Sequence, residues 1–235
     1  HPFPFDARLW GPVAALLGRD DVVVPDLLGC GGRPVSGAAP SMSALASDVW
    51  EHIGHAQRPV VIGISLGGYV AMEMLRQHPL GGLGLVDTKV TADDQAGKVA
   101  RERLAASMEQ HGQLGVYAQQ ALPALLGEHT RATRPEVVAQ VTSWISQANP
   151  VAVAWLARAM AGRPDSTADL AAFDGPVLLA RGAQDTIATA ADYAHMERAA
   201  AGATSHEIAS CGHLPAIEEP VATAMVLRRW LEAYW

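Results

Sequence analysis

A chain of 235 residues with 49% hydrophobic content can bury a large core, and α/β folds of this size commonly form one domain with a local insertion. The formal charge is -7, with Lys and Arg scattered singly or in pairs such as Arg228-Arg229; this leaves no basic footprint for nucleic acid and favours small neutral or weakly charged ligands. Two cysteines, Cys30 and Cys211, are too few for a disulfide scaffold and lack metal-site spacing, no apolar stretch reaches membrane-spanning length, and the expected location is a reducing cytoplasm.

The opening His1-Pro2-Phe3-Pro4-Phe5-Asp6 reads as a loop with no strand ahead of it, and an N-terminal portion supplying one or more strands is expected before it. Leu9, Trp10, Val13, Leu16 and Leu17 then fall at helical spacing, and the run Asp21-Val22-Val23-Val24-Pro25-Asp26 reads as a short buried strand. Glycines make 27–34 a loop. A helix is predicted over 42–55, capped by Ser41 or Ser43, with Leu45, Val49 and Ile53 on one face. A β-branched run at 59–64, a helical stretch at 69–76 and a strand at 83–87 follow. After Thr88 the strand rhythm stops. Helical patterns near 93–111, 113–126, 134–147 and 149–162, punctuated by Gly112, Pro123, Pro135 and Pro150, predict a helical cap over 88–174. Strand 176–180, helix 188–202, strand 204–208 and a closing helix at 221–234 resume the alternation.

Alternation of this kind predicts an α/β fold: a mostly parallel sheet with helices on both faces and its sites at the carboxyl ends of strands. The core is expected from 1–87 and 175–235, with the cap inserted between. Met108, Tyr117, Trp144, Trp155 and Met160 are expected mostly to pack the cap onto the sheet, a minority of them lining an apolar ligand pocket. Trp230, Tyr234 and Trp235 are expected to pack the last helix.

The chemistry centres on Gly63-Ile64-Ser65-Leu66-Gly67, between the strand at 59–64 and the helix after it. A serine hydroxyl is a poor nucleophile unless it is held exposed beside a base, and a tight turn flanked by small residues does this. Ser65 is therefore the candidate nucleophile, although the same turn could use it as a helix N-cap. An imidazole must take its proton, and a carboxylate must orient the imidazole. Asp185 lies just beyond strand 176–180, and His213 lies beyond strand 204–208, behind Gly212. Asp185 could also cap the helix that follows it; Asp87, at another strand end, is the rival acid, and Asp185 is preferred. His1, His52, His55, His78, His111, His129, His195 and His206 are expected to be surface or packing residues, and no chemistry is assigned to Cys30 or Cys211.

With its elbow and its order Ser, Asp, His, the chain resembles the α/β-hydrolase superfamily and, within it, the single-domain serine esterase and lactonase-like branch. The likeness runs over nearly the whole chain: His1-Pro2-Phe3-Pro4, Pro25-Asp26-Leu27-Leu28-Gly29-Cys30-Gly31, the elbow, the Asp185 loop and Gly212-His213. The resemblance implies Ser65 as nucleophile, His213 as general base and then acid, and Asp185 as its partner. It further implies an oxyanion hole from the backbone N–H groups of Leu66 and Phe3; the family's usual glycine is Pro2 here, but the donor is the next residue. The implied activity is hydrolysis of carboxylic esters or lactones of small organic molecules through an acyl-enzyme, with no metal and no cofactor. Carbon–carbon, thioester and amide hydrolysis and perhydrolase or haloperoxidase chemistry use the same triad, and a ligand-binding receptor without turnover is the alternative of another class. Relatives that open epoxides or remove halogens carry aspartate at the elbow, so Ser65 argues against both.

Overall fold

The β-branched and leucine-rich runs become four parallel strands. The protein is described by a computed structural model covering every residue except Ser36, Ala38 and His55. Strands β1 (Val60–Ile64), β2 (Gly82–Val86), β3 (Val177–Gly182) and β4 (Thr204–Ile208) lie side by side in chain order. Their register pairs Ile64 with Val86, Val86 with Ala180, and Gly182 with Ile208. Side chains alternate across a strand, so the inner strands β2 and β3 feed two cores. Leu83, Leu85, Val177 and Leu179 join Ala71, Met72, Tyr193 and Met196 on one face. Ile64, Val86, Leu178 and Ala180 join Val13, Leu227 and Trp230 on the other.

Helices cover both faces. Helix α1 (Gly11–Leu17) follows a short 3-10 turn, and α2 (Met42–His52) starts where the Ser41 side chain accepts from Ala44 N–H at 3.1 Å. It stops at His52, three residues short of the predicted 42–55, with Gly54 at φ 63° and with His55 outside the described residues. Helix α3 (Leu66–Gln77) links β1 to β2. Six helices separate β2 from β3: α4 (Gln95–His111), α5 (Leu114–Leu125), α6 (Glu128–Thr133), α7 (Pro135–Ser146), α8 (Pro150–Ala161) and α9 (Thr167–Ala172). Four match the predicted helical patterns; α6 and α9 are six residues each, too short to display a 3.6-residue period. Pro135 and Pro150 occupy first turns, where a missing N–H costs nothing, whereas Pro123 lies inside α5 near its end. Met108, Trp155 and Met160 share a buried cluster with Phe3, Leu66 and Tyr69, so the inserted helices pack on α3 and the N-terminal loop. Helix α10 (Ala190–Ala199), opened by a Thr189–Asp192 capping box, precedes β4, and α11 (Pro215–Glu218) and α12 (Pro220–Tyr234) close the chain. Among the described residues, no helix is long and apolar enough to cross a membrane.

One expected strand is absent. Residues 22–27 form no ladder: among the described residues β1 pairs with β2 alone, and its other edge faces an apolar cavity of about 520 Å³. That cavity is lined by Val22, Val23 and Val24 on one side, Val60, Val61 and Ile62 on another, and Val13, Val70 and Leu231 around them. A strand is defined by its hydrogen-bonding partner, so the apolar pattern at 21–26 is not sufficient.

Candidate active site

Parallel strands bring all their carboxyl ends to one edge of the sheet, and three of the loops there carry the candidate residues. Ser65 alone separates β1 from α3 and holds φ 52°, ψ −111°. A residue with a Cβ is strained there and needs its surroundings to hold it. They do so through Ser65 N–H donating to Val86 C=O (3.0 Å) and Ser65 C=O accepting from Thr88 Oγ1 (2.8 Å) and Gly68 N–H (2.9 Å). The Ser65 side chain makes no capping bond, so the hydroxyl is not spent as an N-cap. The turn closes only because Gly63 lacks a side chain: a Cβ there would stand 2.2 Å from the Gly67 carbonyl carbon and oxygen. Gly63→Ala is therefore expected to destabilise the fold by about 3 kcal/mol, the upper end for overpacking against backbone that cannot move aside. Thermal unfolding measures the loss, and slower fluorophosphonate labelling of Ser65 should accompany it.

Asp185 and His213 meet. His213 Nδ1 lies 2.9 Å from Asp185 Oδ2, and both side chains are buried. Asp185 also accepts from Ile187 N–H (2.7 Å) and Ala188 N–H (3.2 Å), so the carboxylate is locked in a turn while α10 takes its cap from Thr189 instead. Burial pushes the Asp185 carboxyl up, but the hydrogen bond and charge of His213, with smaller help from Asp87 and Ile187 N–H, hold it below its ordinary value. With Nδ1 committed to Asp185, Nε2 of His213 is the ring nitrogen left for chemistry. No Ser65–His213 hydrogen bond is formed; such bonds are often long before substrate is present.

The rival acid, Asp87, sits fully buried at the end of β2 with φ 40°. Its Oδ1 accepts from Gly182 N–H (2.8 Å) and it does not bond His213. One oxygen from each of Asp87 and Asp185 and one His213 ring nitrogen lie within 4.8 Å of one another. Among the described residues this is the His/Cys/Asp/Glu trio close enough to bracket a cation, but its central members are already joined to each other.

The His1–Phe3 loop crosses directly over the elbow, since a Cβ on Gly67 would come within 3.0 Å of the His1 nitrogen. His1 is a packing residue, its Nε2 accepting from Leu27 N–H at 3.0 Å. The Phe3 and Leu66 N–H groups donate to no backbone acceptor among the described residues. Phe3 also meets Tyr117 of α5 edge to face, with ring centroids 6.3 Å apart. Cys30 and Cys211 are buried; burial pushes the Cys30 thiol up to about 12 and the Cys211 thiol higher still, so neither is a ready thiolate.

Sequence reasoning missed Glu218. It is fully buried, and its two oxygens accept from Gly212 N–H (3.0 Å), Leu214 N–H (3.0 Å), Gly127 N–H (2.8 Å) and Thr130 Oγ1 (2.7 Å). The first two bonds flank His213; the others hold the α5–α6 turn against it. The only signal in the sequence is an acidic residue closing the otherwise apolar Leu214-Pro215-Ala216-Ile217, five positions after His213.

The model of the alpha/beta hydrolase family matches residues 1–226. Among solved structures, the chain is similar to a thermophilic esterase from Thermogutta terrifontis, with 34% identity over 100% of this chain and 88% of that one and a TM-score of 0.92. It is similar in fold to the enol-lactonase from Burkholderia xenovorans LB400 (21% identity, 97% and 87% covered, TM-score 0.84) and to a bromoperoxidase from Bacillus anthracis (14%, 99% and 90%, TM-score 0.80). No curated protein matches it.

Proposed function

The chain belongs to the alpha/beta hydrolase family, and from that premise we propose that it hydrolyses carboxylic esters or lactones of small organic molecules through an acyl-enzyme on Ser65. The observation that carries this reading is the buried Asp185–His213 hydrogen bond of 2.9 Å at the same sheet edge as the strained, uncapped Ser65. In the first half-reaction Ser65 Oγ attacks the carbonyl carbon and His213 Nε2 takes its proton. Asp185 holds the tautomer and stabilises the imidazolium without itself taking the proton. The carbonyl oxygen, now an anion, is received by the N–H groups of Leu66 and Phe3, which have no backbone acceptor among the described residues. His213 then gives the proton to the leaving alkoxide, and water repeats the sequence to release the acid.

We read the inserted helices α4–α9 as a cap over 88–174 on a core of 1–87 and 175–235, with Tyr117 at the acyl site because it touches Phe3. The esterase and the enol-lactonase among the similar structures favour an ester or lactone carbonyl. The test is a fluorophosphonate probe with p-nitrophenyl acetate and butyrate. Stoichiometric modification at Ser65 with loss of turnover is expected; protein that stays unlabelled and leaves both esters intact would overturn the proposal.

A further inference from the structure

The relay described above makes no use of Asp87, yet this carboxyl lies against it. Asp87 is 0% exposed, and while Oδ1 takes the Gly182 N–H, Oδ2 is a buried oxygen with no hydrogen-bond donor facing it. Its neighbour is the Asp185 carboxylate, within 4.8 Å. Two buried carboxylates side by side offer each other only lone pairs, and one of them must hold a proton to remain there.

The donors around each acid decide which. Asp185 accepts from Ile187 N–H, Ala188 N–H and His213 Nδ1, while Asp87 accepts from Gly182 N–H alone. The other titratable groups bearing on Asp87 are His213, with a ring nitrogen within 4.8 Å but bonded through Nδ1 to Asp185, and Glu218, the Tyr193 hydroxyl and the Cys211 thiol, none of the last three a cation. Tyr193 is engaged elsewhere: its hydroxyl accepts from Asp87 N–H at 2.9 Å and donates to the Ala180 carbonyl. Burial, and then the charge of Asp185, push the Asp87 carboxyl well above its ordinary value.

We infer that Asp87 is a neutral carboxylic acid whose Oδ2–H donates to Asp185, a positioning residue that orients the Asp185–His213 pair from behind. The inference rests on the reading of Ser65, His213 and Asp185 as the catalytic groups. The proton supplies the partner that Oδ2 lacks, and the donated bond draws charge from Asp185, moderating its pull on the imidazolium.

Asp87→Asn keeps a donor, its amide N–H₂; Asp87→Leu removes it. Infrared spectra of the wild-type chain at pH 7 are expected to show a protonated-carboxyl band that both variants lose. Asp87→Asn should keep kcat within about threefold, whereas Asp87→Leu should lose about 10- to 100-fold in kcat with KM little changed, the worth of a charge-assisted hydrogen bond. In Asp87→Leu the acid limb of the kcat/KM profile should move to higher pH, because Asp185 then keeps its full charge and favours protonated His213.

Stability gives a sign independent of turnover. A carboxyl raised in the folded state binds a proton that the unfolded chain releases, so wild-type stability falls as pH rises above the ordinary carboxylate value, 3.8, toward the folded one. Asp87→Asn removes that slope, and its melting temperature should rise relative to wild type over that window. Absence of the infrared band, or an acid limb that moves to lower pH in Asp87→Asn as loss of a negative charge would give, overturns the inference. Failure of the fluorophosphonate to label Ser65 counts against the proposed function alone, since the band and the melting curves read the Asp87 proton without catalysis. Should Asp87→Leu not fold, the asparagine variant and the wild-type band decide.

Discussion

Ser65→Ala is expected to lower kcat for p-nitrophenyl butyrate by about a million-fold, and adding His213→Ala is expected to cost almost nothing more. The two side chains act as one device: an imidazole with no hydroxyl to deprotonate, or a hydroxyl with no base, leaves only binding and the N–H groups of Leu66 and Phe3 to assist attack by water. Asp185→Asn should lose about 10,000-fold, because an amide at that position presents a donor to Nδ1 and selects the wrong tautomer. The melting temperature should barely move in Ser65→Ala, since the hydroxyl makes no capping bond to lose. Steady-state rates on protein quantified by absorbance, beside labelling of the wild type, provide the measurement. Additive losses in the double variant, or substantial turnover without Ser65, would mean that another group carries the reaction.

Glu218→Ala is expected to have the largest effect on stability, about 3–5 kcal/mol by urea unfolding. It would leave three buried backbone N–H groups, of Gly127, Gly212 and Leu214, and the Thr130 hydroxyl without the acceptor they share. Glu218→Gln should lose nearly as much, because four donors converge on two acceptor oxygens and an amide replaces one oxygen by a donor. Both variants should also label more slowly at Ser65 than their stability loss explains, since the bonds to Gly212 and Leu214 hold the two sides of His213. A loss below about 1 kcal/mol, the worth of one ordinary hydrogen bond, would show that these contacts do not hold the His213 loop to the α5–α6 turn.

The alternation of strands and helices was legible because it is local: Val60, Val61 and Ile62 carry a strand pattern, and Leu45 and Val49 mark one helical face, without reference to anything distant. The positions of Ser65, Asp185 and His213 were legible for a related reason, since each lies just beyond a predicted strand and a parallel sheet sends all such ends to one edge. Residues 21–26 show where the local argument stops. They carry a valine-rich run like that of β1, yet they lie across a cavity from its free edge and join no strand ladder among the described residues.

The sequence by itself determined the α/β class, the elbow and the order of the candidate residues, because periodicity and tight-turn chemistry are written over a few neighbouring positions. Only the tertiary structure decided that Asp185 rather than Asp87 bonds His213, and that Glu218 gathers donors from two separate loops. Those outcomes depend on which buried donors converge on which oxygens, between residues from 6 to more than 90 positions apart, and hydrogen-bond satisfaction at such range leaves no periodic trace in the chain.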